Sequence, residues 1–552
     1  MEATAPKKMN FYQFLKRDGN FKRHVVIANS LSGVISIIIA SIIVDSANEV
    51  KPGELQLTAI TLFLLCLVAY YVFRYYSLIR ISAHIESVVN GTRKRISIKI
   101  QQTNLRNFEN IGKEFFYTTL TTDSQIVTQS SVQIINAAGA LVMVAAGSIA
   151  LLIISPLAFA MAIGIFSMII LLYTRIRKSM IADLQTITNK ENEFFGALND
   201  LLLGFKELKL NAEKSREFIE EGLNKLSDDV FELKANIANK ASKTLILSQV
   251  YMYVILGAVV FIIPNISPEN TIIVAPASAL LLFITGPIIE VVSILPIMDK
   301  TNNCIQNIVK IEEILDEIGK KKKGLDKVSS RHRKASTFNS LRCESATFSY
   351  HDEGNGASFT LGPIDFELKE NEVLFIVGGN GSGKSTFLKM FTSLYNLDSG
   401  RLFLDEKPLT AEKTVMYRNL FSPIFVDFHL FEKLYGQTDI DYEQVDELLE
   451  QMGLSDVTDI VDGKLTKRDL STGQRKRLGL VVSILEDKPI FIFDEIAADQ
   501  DPKFRKYFYE TIIPELKAKG KTILAVTHDD KYFSAADRVL KMDYGKFIPY
   551  EA

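Results

Sequence analysis

The sequence is poor in cysteine and has no excess of charge of either sign. Cys66, Cys304 and Cys343 are widely separated and lack metal-ligand spacing, so no chemistry is assigned to them. Lys and Arg number 63 against 65 Asp and Glu, so the charge balance gives no attraction to nucleic acid, and no nucleic-acid partner is expected. The basic N-terminal stretch is followed by no small-residue cleavage site, so a cleaved signal peptide is not expected.

The chain divides by composition. Its 552 residues exceed what one hydrophobic core supports, so at least two domains are predicted. Most long uncharged runs precede Asp299, which predicts a membrane domain over residues 1–317. A basic segment, 318–335, marks a linker that is either solvated or in contact with anionic lipid. Residues 336–552 carry the recognisable motifs of a second domain.

Long apolar segments predict helices that cross a membrane. A hydrocarbon core of about 30 Å takes roughly 20 largely apolar helical residues to cross, because backbone polar groups must be satisfied within the segment. Six spans are predicted: residues 25–44, 57–73, two within 124–174, 244–263 and 271–289. Pro156 suits a tight turn in the middle of the uncharged stretch 124–174. Arg74 ends the second run, and its long side chain can reach the interface.

Lys and Arg collect on one side of these spans. Residues 1–24 contain six and residues 74–123 contain eight, whereas residues 45–56 contain only Lys51 and residues 264–270 contain none. Since cytoplasmic loops retain positive charge, both termini are predicted to be cytoplasmic. The two long cytoplasmic connections, of about 50 and about 70 residues, predict helical arms that project about 35–50 Å. Apolar residues at helical spacing favour such arms over the alternative of disordered loops.

The segment 378–386 forms a phosphate-binding motif. A buried-strand pattern at 373–377 runs directly into it, and a helical pattern follows. Its residues are Gly378, Gly379, Asn380, Gly381, Ser382, Gly383, Lys384, Ser385 and Thr386. The glycines let successive backbone N–H groups face phosphates, Lys384 bridges the β- and γ-phosphates, and the Ser385 hydroxyl is a Mg²⁺ ligand. The strand, loop and helix therefore predict a P-loop that binds ATP with Mg²⁺.

A second apolar strand, 489–493, ends in two acids. Asp494 at the end of a strand beside a P-loop is predicted to hold Mg²⁺. Glu495 is predicted to orient or deprotonate the attacking water. Alone, an apolar strand followed by two acids would more often be an ordinary turn.

The order of these motifs identifies a family resemblance. Residues 470–475 read Leu-Ser-Thr-Gly-Gln-Arg, and Thr527-His528 follow the second acidic strand end. With the six predicted spans, the chain resembles the ABC transporter family over essentially its whole length. The resemblance implies a membrane all-α exporter domain joined to an α/β P-loop nucleotide-binding domain. It also implies an ATP hydrolase with Glu495, His528 and Lys384 as catalytic residues, His528 contacting the γ-phosphate.

In this family ATP lies between the P-loop of one nucleotide domain and the signature segment of another. One copy of each per chain implies a homodimer, in which Ser471, Gly473 and Gln474 bind the ATP held by the partner. Tyr350 aligns with the aromatic residue that stacks on adenine. Short coupling helices that rest on the nucleotide domains are expected at two places: residues 104–110 and 209–218.

Two segments depart from the family pattern. Val426 stands where the family normally has a glutamine, so a contact to Mg²⁺ or water must come from Asp427, His429 or a further water. Residues 496–502 read Ile-Ala-Ala-Asp-Gln-Asp-Pro in place of the commoner Ser-Ala-Leu-Asp pattern. Both variations resemble the bacterial branch that exports cyclic peptides, peptide siderophores and peptide antibiotics.

The expected function is therefore ATP-driven export of peptides across a bacterial inner membrane by alternating access. A lipid or multidrug exporter is the alternative within transport. A nucleotide-gated regulator or channel is a further alternative, although a pure gate has no need of Glu495 and His528. Glu290 follows the apolar run 271–289 and is the candidate cargo residue, because an ionisable group in a span normally faces a partner or a wet cavity. It is instead merely solvated if it lies at the cytoplasmic end of the sixth span.

Overall fold

The computed structural model describes residues 9–17, 23–48, 55–266, 271–320, 338–351 and 358–550. The chain forms two units: Met1–Ser97 with Glu114–Glu313, and Ile98–Lys113 with Ile314–Ala552. Three parts of the predictions fall wholly or partly outside the described residues. They are most of the basic linker 318–335, parts of the basic N-terminus, and parts of the segments 45–56 and 264–270.

The part of the chain before residue 321 is built from helices. They are α1 (Phe11–Lys16), α2 (Arg23–Asn48), α3 (Leu57–Gln101), α4 (Leu105–Ile111), α5 (Lys113–Thr118), α6 (Ser124–Ile154), α7 (Pro156–Leu203), α8 (Phe205–Leu210), α9 (Ala212–Glu217), α10 (Lys225–Phe261), α11 (Ile263–Ile266) and α12 (Thr271–Lys320). Short π-helical turns, Thr119–Asp123 and Phe218–Asn224, precede α6 and α10. The connections that the sequence assigns to cytoplasmic arms are thus helical, as predicted, and not disordered loops.

Several of these helices are long and apolar enough to cross a membrane. Within the described residues five stretches qualify: His24–Ala47, Leu57–Gln101, Lys113–Ile154, Ala212–Ile266 and Ile273–Ile318. The remaining predicted crossing falls in α7, part of whose side chains lie outside the described set. The turn before α7 is where the sequence predicts it. Ser155 caps the helix by accepting a hydrogen bond from the Ala158 N–H, and Pro156 occupies the first turn.

Glycine allows α2 and α6 to pack closely. A Cβ at Gly139 would lie 2.9 Å from Nδ2 of Asn29, and a Cβ at Gly33 would lie 3.0 Å from the Gly139 carbonyl oxygen. Arg74 of α3 donates to Oδ1 of the buried Asn29 at 2.9 Å and to Oδ1 of Asn136 at 3.1 Å. Helix α3 continues through Arg74, so its guanidinium joins α3 to both α2 and α6.

The C-terminal unit contains two principal sheets. Its strands are β1 (Ser340–His351), β2 (Ser358–Lys369), β3 (Val373–Val377), β4 (Ser399–Leu404), β5 (Lys407–Pro408), β6 (Phe421–Ile424), β7 (Ile460–Val461), β8 (Lys464–Leu465), β9 (Ile490–Asp494), β10 (Thr522–Val526), β11 (Arg538–Asp543) and β12 (Lys546–Pro549). A four-stranded antiparallel sheet has the order β2-β1-β4-β5. A six-stranded sheet has the order β12-β11-β3-β10-β9-β6, parallel except at β12. Short antiparallel strands β7 and β8 form a separate pair.

Helices cover these sheets and complete an α/β arrangement. They are α13 (Lys384–Phe391), α14 (Thr414–Arg418), α15 (Tyr442–Gln451), α16 (Thr472–Leu485), α17 (Pro502–Tyr507) and α18 (Ile513–Ala518). Strands β3, β9 and β10 are buried along their whole length, which explains their continuous apolar sequence. Because they run parallel, their carboxyl ends meet at one edge, where the P-loop, Glu495 and Thr527-His528 follow.

Replacement of Gly139 by leucine should destabilise the helical unit. The larger side chain would displace the Asn29 amide, and overpacking of this kind costs about 1–3 kcal/mol. The matched change Gly164→Leu on α7 should be tolerated, because a Cβ there meets nothing within 4 Å. Apparent melting temperatures of the purified variants in detergent would test this. Equal behaviour of the two variants would contradict the role given to Gly139.

Candidate active site

The P-loop lies between β3 and α13, and two of its glycines meet steric limits. Gly378 has φ +151°, and a Cβ there would lie 2.2 Å from the carbonyl oxygen of Met542. Gly383 has φ +105°, and a Cβ there would lie 2.8 Å from the ring of Phe359. Side chains at these two positions would force the loop open. Packing therefore requires glycine here, in addition to the requirement set by phosphate binding.

Lys384 opens α13 and is buried. Its Nζ donates to the carbonyl oxygens of Gly378 at 2.9 Å and Gly379 at 3.0 Å. Burial lowers the pKa of its ammonium, while the nearby carboxylates of Glu495 and Asp494 oppose that shift. The carbonyls of the loop therefore hold the ammonium beside the P-loop backbone.

Asp494, the last residue of β9, is 2% exposed. Burial raises the pKa of its carboxyl, against the hydrogen bonds that it accepts from the Ser385 side chain and the Val426 backbone N–H. Its Oδ1 atom is buried and has no hydrogen-bond partner among the described residues. An unpartnered carboxylate oxygen beside a serine hydroxyl is a hard donor pair of the kind that Mg²⁺ takes together with phosphate oxygens and waters. The residues present therefore fit Mg²⁺, with Ser385 and Asp494 as the groups that would hold it.

Glu495 and His528 lie together. Nε2 of His528 is 3.2 Å from Oε1 of Glu495, a hydrogen-bonding distance. Glu495 has φ +54°, a left-handed conformation that is uncommon outside glycine, and its N–H donates to the Val526 carbonyl at 3.1 Å. The side chain that the sequence selects as base is thus turned out of the strand direction at the edge of the sheet, beside the histidine.

The backbone of Glu495 is held by a residue that sequence reasoning missed. Lys476 of α16 is 4% exposed, and its Nζ donates to the Glu495 carbonyl at 2.8 Å. The same ammonium pairs with Oδ2 of Asp499 at 2.7 Å. Nothing in the local sequence distinguishes Lys476 from its basic neighbours Arg475 and Arg477, so only the fold reveals this contact.

The signature residues form the start of α16. The hydroxyl of Ser471 accepts from the Gln474 N–H at 3.3 Å, and Oε1 of Gln474 accepts from the Ser471 N–H at 3.1 Å. Nε2 of Gln500 donates to the Gly473 carbonyl at 3.0 Å. In the described part of the chain, the side chains of Ser471 and Gln474 bond within this turn and Gly473 accepts from Gln500, so none of these bonds reaches the P-loop. Ser471 is exposed at a helix N-terminus, where backbone N–H groups favour anions.

Tyr350 lies near the end of β1, and strand β2 connects it to the P-loop. It pairs with Phe359 of β2, and the ring of Phe359 is the group closest to a Cβ at Gly383. The Tyr350 side chain is 37% exposed, and its hydroxyl donates to the hydroxyl of Tyr395 at 3.0 Å. Tyr395 is a second residue that the sequence motifs did not reveal.

Both expected coupling segments contain short helices. Helix α4, capped by the Asn104 side chain, covers the first expected segment and belongs to the same unit as the sheets. The second expected segment, 209–218, contains the end of α8 and all of α9.

Val426 meets Asp494 with its backbone N–H, at the position where the family normally has the side-chain amide of a glutamine. Its N–H contacts the Asp494 carboxylate, while its own side chain is 48% exposed. Asp427 and His429 are both exposed. The contact normally expected from glutamine is therefore not supplied by the Val426 side chain.

Comparison with known proteins relates the chain to one family and one fold. Residues 361–498 match the sequence model of the ABC transporter family. The ATP-binding protein SyrD of Pseudomonas syringae pv. syringae is 35% identical over 374 residues, which cover 65% of each chain. An ATP-dependent lipid A-core flippase of Ralstonia nicotianae is 30% identical over 223 residues, covering 38% of this chain and 37% of the flippase.

A mitochondrial iron-sulfur clusters transporter, ATM1 of Candida albicans, is 27% identical over 38% of this chain and 29% of its own. The matches therefore span less than two thirds of the length of each of these relatives. A solved structure of a bacterial Atm1-family ABC exporter with ATP bound has a TM-score of 0.71 and 15% identity. It covers 95% of this chain and 92% of its own, and it shows that the fold is that of an ABC exporter.

Asp427→Ala should raise the Mg²⁺ concentration needed for half-maximal ATP hydrolysis by about 3- to 10-fold, the loss of one net hydrogen bond. The reason is that Asp427 is the acid next to Val426, whose backbone contacts Asp494. Asp446→Ala, an exposed acid on α15, is the matched control and should leave the Mg²⁺ dependence unchanged. An unchanged requirement in Asp427→Ala would remove this residue and leave the contact to His429 or to water.

Proposed function

We propose that this chain, which belongs to the ABC transporter family and has its exporter fold, is one half of an ATP-driven export pump. The observation that carries the proposal is the meeting of Lys384, Asp494, Glu495 and His528 at one edge of a sheet, in a chain with apolar membrane-length helices. The arrangement has the groups that phosphoryl transfer to water needs, because that chemistry depends on positioning and charge stabilisation.

Each residue at the site has a distinct task in the proposed hydrolysis. The P-loop N–H groups and Lys384 hold the β- and γ-phosphates, where the ammonium offsets charge that develops on the transferred group. Mg²⁺, when held by Ser385 and Asp494, supplies further charge neutralisation. Glu495 orients or deprotonates the water, and His528, 3.2 Å from it, binds the γ-phosphate.

Two such chains are proposed to share each ATP. Ser471 lies at an exposed helix start, and the hydrogen bonds of Gly473 and Gln474 do not reach the P-loop of their own chain. A homodimer brings the signature residues of one chain to the P-loop of the other. Closure of both composite sites would then drive alternating access of the membrane helices.

The proposed location is a bacterial inner membrane, with both termini cytoplasmic. Support comes from the apolar helices, from the basic side of the predicted spans and from similarity to a protein of Pseudomonas syringae. ATP hydrolysis in the cytoplasm requires the nucleotide-binding unit to lie on that side. This orientation agrees with the one predicted from the Lys and Arg residues in segments 1–24 and 74–123.

The proposed cargo is peptide-like and amphipathic. The helical unit has an apolar cavity of about 110 Å³, whose lining includes Val144, Phe159, Met252 and Ile288. Glu290 follows Ile288 by two residues on α12, which places it on a different face of the helix from the cavity, and it is exposed in the single chain. Apolar side chains of a cargo match the cavity, and a polar or cationic group matches the glutamate.

A lipid or multidrug exporter is the second candidate. The similarity to a lipid A-core flippase favours it, and an apolar cavity accepts acyl chains as readily as apolar side chains. A nucleotide-gated channel is less well supported, because the paired Glu495 and His528 serve hydrolysis.

Glu495→Gln should abolish ATP hydrolysis and preserve ATP binding. Loss of a general base costs about 10²–10⁴-fold in rate, whereas the P-loop contacts are untouched. ATPase assays and equilibrium ATP binding in lipid nanodiscs measure the two effects separately. The exposed helix acid Glu443 provides the control Glu443→Gln, expected to be silent. Wild-type turnover in Glu495→Gln would place the base elsewhere.

Glu290→Gln should weaken stimulation of the ATPase by cationic or polar cyclic peptides and leave basal hydrolysis near normal. The neutral amide keeps the size of the side chain and removes its attraction for a cation. A panel of cyclic peptides, siderophores, lipids and dyes in nanodiscs would measure this. Glu313→Gln, about six turns further along α12, is the matched control. Stimulation of the wild type by lipids alone would favour the lipid exporter.

A further inference from the structure

Helix α4 is linked to three consecutive residues of the strand that carries Tyr350, to two of them directly and to Tyr350 through a third side chain. The guanidinium of Arg106 lies 5.0 Å from the ring centroid of Phe348. Its Nη2 donates to the Ser349 carbonyl at 2.9 Å. The third contact reaches Tyr350 through Tyr395, and all of these residues belong to one unit.

The third contact is a chain of two hydrogen bonds. The Tyr350 hydroxyl donates to the Tyr395 hydroxyl at 3.0 Å, and the Tyr395 hydroxyl donates to Oε2 of Glu109 at 2.7 Å. Tyr395 is 1% exposed, and its ring stacks on Phe348 at 4.6 Å with an interplanar angle of 5°. Burial first, and the hydrogen bonds to Tyr350 and Glu109 next, raise the pKa of the Tyr395 phenol, so it stays a donor.

Charged groups hold both ends of this chain in place. Nζ of Lys389 lies 3.5 Å from Oε1 of Glu109, so this carboxylate has a partner for each of its oxygens. On the strand side, Oδ2 of Asp398 accepts from the Ser349 N–H at 2.7 Å, while its Oδ1 lies 3.3 Å from Nη1 of Arg106. Helix α4 and the end of β1 are therefore joined by a closed set of polar contacts.

We propose that Tyr395 is a positioning residue through which α4 sets the ring orientation of Tyr350 for stacking on an adenine base. The inference rests on the proposed function, because it takes Tyr350 as the residue that stacks on the base of ATP. A hydrogen bond at the Tyr350 hydroxyl fixes the position of the phenol oxygen and so the direction of the side chain. The plane of the ring is set by its edge-to-face packing on Phe348 and Tyr395, with centroids 5.0 and 6.0 Å apart and interplanar angles of 89°. By linkage, adenine binding strengthens the α4 contact by the same factor by which that contact strengthens adenine binding.

The decisive variant is Tyr395→Phe, which removes one oxygen atom and keeps the ring that stacks on Phe348. It should raise the dissociation constant for ATP by about 3- to 10-fold, the loss of a net hydrogen bond. Inorganic tripolyphosphate, which lacks the base, should bind the variant and the wild type equally. Both constants are measured by titration of the full-length protein in nanodiscs.

Tyr417→Phe is the matched control. Tyr417 is fully buried in the same core, and its hydroxyl donates to the Phe391 carbonyl at 2.8 Å, so it is not part of the hydrogen-bond chain between Tyr350 and Glu109. Removal of that hydroxyl should lower thermal stability without a selective loss of ATP over tripolyphosphate. The control separates a positioning role from the general cost of losing a buried hydroxyl.

Changes at Glu109 test the helix side of the chain. Glu109→Ala should weaken ATP binding to the same extent as Tyr395→Phe, and the double variant should be no weaker than either single one, since both remove one shared path. Glu109→Gln should restore most of the affinity, because its amide oxygen still accepts from the Tyr395 hydroxyl.

Three outcomes would overturn the inference: an unchanged ATP dissociation constant in Tyr395→Phe, an equal loss for tripolyphosphate, or additive effects of the two changes. None of these outcomes would contradict the proposed function, provided that the wild type binds and hydrolyses ATP. Failure of the wild type to bind ATP would instead contradict the proposed function itself.

Discussion

The parallel pairing of β3, β10 and β9 is the constraint on which the candidate active site depends. Asp494 pairs with Val526, and Val526 pairs with Ile376, so the three strands end at the same level. The ladder continues beyond the strands, because the Glu495 N–H donates to Val526 and the Thr527 N–H donates to Ile376, each at 3.1 Å. Backbone hydrogen bonds therefore fix the separations among the P-loop, the acids and the histidine.

Burial gives this edge its electrostatic character. Asp494 and Lys384 are 2% and 5% exposed, and burial alone shifts both of their pKa values towards the neutral forms. Each group opposes the shift of the other, because their charges are opposite. Both also hydrogen-bond to neighbouring groups, Asp494 to Ser385 and Lys384 to loop carbonyls. In the proposed function, a triphosphate and a divalent cation would meet charged groups that are already in place at this edge.

The sequence predicted those parts of the site that are encoded in short segments. A strand, a glycine-rich loop and a helix stand next to one another at 373–391, and the structure has them at those places. Contacts between distant segments were not predictable in this way. Tyr395 and Glu109 are 286 positions apart, and the sequence does not distinguish the buried Lys476 from the basic residues on either side of it. At Val426 the contact to Asp494 comes from a backbone N–H, which no side-chain pattern can reveal.

The same reasoning explains why the sequence predicts the nucleotide that is bound more readily than the cargo. Phosphate recognition uses backbone N–H groups and a few charged side chains in a fixed loop, so it leaves a strict pattern in the sequence. A cavity such as the one lined by Val144, Phe159 and Met252 can be built from apolar side chains of many kinds, so it leaves no strict pattern in the sequence. The residues that recognise phosphate are thus concentrated in a few positions, whereas the contacts proposed for cargo, Glu290 among them, are spread over helix faces.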